Sequence, residues 1–88
     1  MLQRLLIVED AFVARGRGVL VMPRFTAADP PREPFKVRLR LPDGSEREVA
    51  AAVEVSHVRG PLPPFAMYRL YDVTPADVPA GTEIWSLA

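Results

Sequence analysis

The sequence predicts an all-β domain, a small six-stranded antiparallel closed β-barrel with one short helical turn near residues 75–78. Three observations predict it. Ten prolines and five glycines punctuate 88 residues and leave no uninterrupted helical window of useful length. The intervals between them are rich in Val, Ile, Leu, Phe and Tyr, with eleven valines alone, which suits a pleated, half-buried surface. Short strands set between regular turn signals belong to barrels and sandwiches. At 9.8 kDa the chain makes one domain, spanning 1–88, because it holds too little mass for two independent cores.

From Phe12 to Met22, two apolar runs flank the glycine-rich turn Ala14-Arg15-Gly16-Arg17-Gly18. This predicts a hairpin whose second strand, apolar on both faces, lies centrally. Residues 26–34 hold three prolines and no apolar period, which predicts an exposed, extended loop.

The clearest strand is Phe35-Lys36-Val37-Arg38-Leu39-Arg40-Leu41, apolar at every odd position and cationic at every even one. One face goes to the core and one to water. Pro42-Asp43-Gly44 then closes a three-residue hairpin, with Gly44 as the left-handed residue. If Leu41 pairs with Ser45, Arg40 faces Glu46, Arg38 faces Glu48 and Val37 faces Val49. The returning strand runs from Glu46 to about Val58, with Val49, Ala51, Val53, Val55 and His57 on one side.

A proline-rich link, Arg59-Gly60-Pro61-Leu62-Pro63-Pro64, leads into a strand over 65–73 with aromatics on both sides. Thr74-Pro75-Ala76-Asp77 is a helix start, with Thr as N-cap, Pro at the first helical position and Asp favoured by the helix dipole. Pro79 and Gly81 stop it after about one turn. A closing strand over 82–87 completes the six.

Charge and composition exclude several classes of function. Eleven Lys+Arg balance eleven Asp+Glu, so no global field recruits a polyanion. The balance is uneven, with eight cations and five anions in residues 1–44 against three and six in 45–88. Any electrostatic partner is therefore held by one face. With no cysteine, disulfides, iron–sulfur clusters and thiolate zinc sites drop out. No apolar run approaches a membrane span, and the N-terminus runs into Glu9-Asp10 without a small-residue cleavage site, so a cytoplasmic location is expected.

Three segments carry a resemblance: Val8-Glu9-Asp10-Ala11-Phe12, Gly16-Arg17-Gly18-Val19-Leu20-Val21, and Asp77-Val78-Pro79-Ala80-Gly81-Thr82-Glu83-Ile84-Trp85. In that order, over residues 5–87, the chain resembles the small β-barrel that follows the GTPase domain in translational GTPases, the second domain of elongation factor Tu and its relatives. The resemblance implies the barrel fold, and contact with RNA or a ribonucleoprotein, as in relatives that hold transfer RNA or touch ribosomal RNA. It implies a stand-alone copy of that domain. No Gly-x-x-x-x-Gly-Lys-Ser/Thr loop occurs, so nucleotide hydrolysis is excluded on this chain. Met22-Pro23 replaces the family's glycine after the second strand, and the loop 26–34 replaces its glycine-aspartate hairpin.

Candidate RNA-binding residues are Arg15, Arg17, Arg24 and Arg59. Arg15 and Arg17 flank glycines in a turn where backbone and guanidinium groups together clamp phosphate; the plainer alternative pairs them with Glu9 and Asp10. Lys36, Arg38 and Arg40 form a stripe expected to be salt-bridged to the next strand. Tyr68, Tyr71 and Trp85 are either a base-stacking surface or, more simply, core. His57, the single histidine, has no Ser/His/acid spacing around it and no metal cluster, so neither catalytic residues, a metal nor a cofactor is expected. The expected function is a non-catalytic binding module for RNA or a ribonucleoprotein. The alternative is a protein–protein interaction or assembly module with no RNA binding, for which the proline loops offer ligand segments.

Overall fold

The computed structural model describes residues 3–13, 18–26, 33–56 and 65–87. Among these residues it contains seven strands: β1 (Gln3–Ile7), β2 (Asp10–Val13), β3 (Val19–Thr26), β4 (Phe35–Arg40), β5 (Glu46–Ser56), β6 (Phe65–Leu70) and β7 (Glu83–Ser86), with a 3-10 turn at Pro75–Asp77. They form one antiparallel sheet in the order β1-β7-β4-β5-β6-β3-β2. Among the described residues, no helix is long and apolar enough to cross a membrane.

The sheet curls into a half-barrel of seven strands, which corrects the expectation of a closed six-stranded barrel. The cause lies at Val8 and Glu9. The Val8 amide donates to the Thr82 carbonyl at 2.8 Å and the Gly81 amide donates to the Val8 carbonyl at 2.8 Å, whereas the Glu9 amide donates to the Met22 carbonyl at 2.8 Å. Between two adjacent residues the chain leaves the β7 side of the sheet and joins the β3 side. The N-terminal segment is therefore two strands, which occupy the two opposite edges of the sheet and do not pair with each other. Val8, 1% exposed, is the apolar pin at the crossing.

The β4–β5 hairpin matches its sequence expectation. Val37 pairs with Val49, Arg38 with Glu48 and Arg40 with Glu46. The Leu41 amide donates to the Ser45 carbonyl and the Gly44 amide to that of Leu41, both at 2.9 Å, with Gly44 at φ +89°. The Asp43 carboxylate accepts from the Ser45 amide at 2.9 Å and its hydroxyl at 2.6 Å, which stiffens the turn.

The inner face of the sheet is the core. Val21, Val37, Leu39, Ala51, Leu70 and Ile84 are fully buried, and Val73 and Val78 close one end. Each buried Val, Leu or Ile side chain contributes about 1.5–3 kcal/mol. β3 lies between β6 and β2, one strand in from the edge of the sheet. Its register against β6 shifts between Val21 and Phe25, a stretch that contains Pro23, which has no amide for the ladder.

The helix start signal also holds. Asp77 accepts from the Thr74 amide at 2.8 Å and from the Thr74 hydroxyl at 3.1 Å, with Pro75 at the first position. The turn ends at Val78, whose amide donates to the Pro75 carbonyl at 3.1 Å. The proline segments expected as loops fall largely on residues 27–32 and 57–64. These, with His57, lie outside the described residues.

Candidate nucleic-acid interface

Alternation on β4 sends Val37 and Leu39 inward, both fully buried, and leaves Lys36, Arg38 and Arg40 on the outer face. β7 is phased against it by the pairs Leu39–Ile84 and Arg38–Trp85. Ile84 is buried, so its neighbour Trp85 points outward. β1 adds Arg4 opposite Trp85 and Ile7 opposite Glu83.

Two parallel rows of side chains result on the outer face. One runs Arg4, Trp85, Arg38, Glu48 across β1, β7, β4 and β5; the next runs Ile7, Glu83, Arg40, Glu46. Directly opposed side chains of this kind have Cβ atoms about 5 Å apart. Within the rows the charges are only partly matched. Arg38 meets Glu48 at 3.4 Å, and the Trp85 indole N–H donates to Glu83 at 3.0 Å. Among the described residues, Arg4, Lys36 and Arg40 have no carboxylate within 4.0 Å. The expectation of a salt-bridged stripe is thus met at Arg38 alone. A shallow depression of about 120 Å³ opens between Arg38, Arg40, Glu46 and Trp85.

Of the four arginines expected to bind RNA, Arg15, Arg17 and Arg59 lie outside the described residues. Arg24 is exposed on β3, its guanidinium carbon 4.5 Å from the centroid of the Phe65 ring. That contact is worth about 0.5–1 kcal/mol at an exposed site. β5 and β6 separate Arg24 from the β4 stripe, so the two sets are not neighbours.

The aromatics divide. Tyr68 is an inward residue, packed on Phe25 at 4.7 Å between ring centroids and on Phe35 at 6.3 Å, edge on. Burial pushes its phenol pKa up. It behaves as core, which Trp85 does not. Tyr71, with Asp72, Thr74 and Gly18, lines a broad cleft of about 760 Å³ at one end of the sheet. Asp72 there has a left-handed φ of +59°, and its carbonyl accepts from Arg47 at 3.1 Å.

Three hydroxyls are committed to structure. Ser45 bonds Asp43, Thr74 bonds Asp77, and the buried Thr82 donates to the Pro79 carbonyl at 2.6 Å. Among the described residues no three His, Asp or Glu side chains converge as a metal site. No protein-family model matches the chain, and no curated protein or solved structure matches it.

Proposed function

We propose that this chain is a non-catalytic binding module similar in kind to the second domain of translational GTPases, and that its partner is RNA. The observation that carries the reading is the set of three outward cations, Arg4, Lys36 and Arg40, left without a described carboxylate partner on one sheet face. Phosphate supplies the missing counter-charge, and arginine grips it bidentately. The antiparallel all-β sheet and the Thr74-capped turn before β7 support the likeness to that domain. The Ser45, Thr74 and Thr82 hydroxyls, already engaged in turns and caps, support a role without nucleophilic chemistry.

Salt dependence tests the reading. Three phosphates neutralised on a single strand imply roughly a 20-fold loss of affinity between about 50 and 200 mM salt. Bulk RNA that fails to bind even at low salt ends it.

A second reading, a protein interaction module, is favoured by the edge strand β2. Its Phe12 and Val13 are 41% and 74% exposed, beside a row of unpaired backbone groups that invites another chain. Light scattering that gives a strict monomer at high concentration removes the self-association form of this reading.

A further inference from the structure

We infer that Trp85 is a stacking platform for one unpaired base, so that the outer face of β1, β7 and β4 takes single-stranded rather than duplex RNA. The inference rests on the RNA reading above and adds which form of RNA is held and where. It starts from the position of the ring. The chain's one tryptophan is spent on the outer face of the sheet, while the core is closed without it by Val, Leu and Ile side chains. The Trp85 indole N–H is already held by Glu83 at 3.0 Å. This fixes the ring's edge and leaves its π face as the surface still able to bind. Among the described residues no other ring and no cation sits on that face.

The surroundings sort base from phosphate. Arg4 and Arg38 stand on either side of Trp85 in the same row, about 10 Å apart across two strand spacings. They take the phosphates that precede and follow a stacked nucleotide. The depression of about 120 Å³ beside the ring is lined by Arg38, Arg40, Glu46 and Trp85. Glu46 repels phosphate from the depression and accepts from the amino edge of a base, while Arg40 on its rim takes a further phosphate. A paired base in a duplex has both faces covered by its neighbours and cannot reach the ring. Every base has a π face, so the platform tolerates sequence and discriminates against pairing.

The test uses the whole chain and a single-stranded oligoribonucleotide of about 12 nucleotides, with the matching duplex as the second probe. Because the chain has one tryptophan, its emission reports this site alone. Stacking predicts saturable quenching of that emission by the single strand, and weaker binding of the duplex. Trp85→Ala should lower single-strand affinity roughly 5- to 150-fold, while Trp85→Phe retains most of it. Circular dichroism establishes that each variant is folded, and the wild-type emission needs no variant at all. Labelled single strand that binds by anisotropy while Trp85 emission stays unchanged overturns the platform and leaves the RNA reading standing. Equal affinity for single strand and duplex does the same. RNA that fails to bind at low salt overturns both.

Discussion

Arg38 and Glu48 face each other across the β4–β5 hairpin and meet at 3.4 Å, whereas Arg40 and Glu46, one pair nearer the turn, face each other without an ion pair. The same charges in the same register thus behave differently two residues apart. Arg38 is the more enclosed cation, its side chain 32% exposed beside Trp85. Arg40 is exposed on the next row, where Glu83 and Glu46 flank it without closing on it.

A double-mutant cycle on Arg38 and Glu48 should return a coupling of about 0.2–1 kcal/mol, falling with added salt. The same cycle on Arg40 and Glu46 should return close to zero. Thermal unfolding of the six variants and the wild type reads both. Equal couplings in the two cycles would contradict the difference in geometry.

Gly18 is irreplaceable for two reasons that can be separated. It has φ +81°, and a Cβ built on it would land on the backbone carbonyl oxygen of Leu70. Gly44 has a similar φ of +89°, with nothing within 4 Å of a built Cβ. Gly44→Ala should cost only the dihedral strain, about 1 kcal/mol. Gly18→Ala should cost clearly more, because the obstructing atom belongs to β6 and cannot swing aside. Denaturant midpoints that rank the two the other way would rule out the close approach.

Acid should loosen two turns through two carboxylates. The Thr74 amide and hydroxyl, with Arg47 at 4.0 Å, hold the Asp77 carboxyl below its ordinary pKa. The Ser45 hydroxyl and amide do the same for Asp43. Each folded-state pKa is depressed, so each contributes stability that is present above the ordinary carboxylate value near 4 and is lost as the pH falls through the lower folded value. Asp77→Asn and Asp43→Asn should each flatten the fall in melting temperature below about pH 4. A fall as steep as in the wild type would show that these bonds do not act on folding.

What was legible in the sequence was local. The strict alternation of residues 35–41 and the Pro42-Asp43-Gly44 turn determine the hairpin register, because turn length and pleat leave one solution. The Thr74–Asp77 cap is local in the same way. The split of the N-terminal segment was not legible, since Val8-Glu9 carries no Gly or Pro and the crossing depends on Thr82, Gly81 and Met22, distant in sequence. A bulge between Arg4 and Leu6 further hides the period, letting both Leu5 and Leu6 pack on the core. Which face Trp85 takes is open in the sequence for a related reason. Ile84 and Trp85 are adjacent and both apolar, so the phase of β7 is decided by the long-range pair Leu39–Ile84 and not by the strand itself. The signal that remained was steric: in a strand without a bulge, two adjacent residues cannot both enter one core.

The cations make a prediction that ranks them. Arg40 has no described carboxylate partner and lies on the Trp85 face, whereas Arg24 lies over Phe65 on β3, beyond β5 and β6. If RNA lies across β1, β7 and β4, Arg40→Gln should weaken binding and reduce the magnitude of the slope of log affinity against log salt by about 0.7, one phosphate's share on a single strand. Arg24→Gln should leave that slope unchanged and instead lower stability by about 0.5–1 kcal/mol through the lost contact with Phe65. The two variants carry the same change of charge, so a general field effect would shift both slopes alike. A slope reduced by Arg24→Gln and untouched by Arg40→Gln would move the RNA to the β3 side of the sheet, toward Arg24.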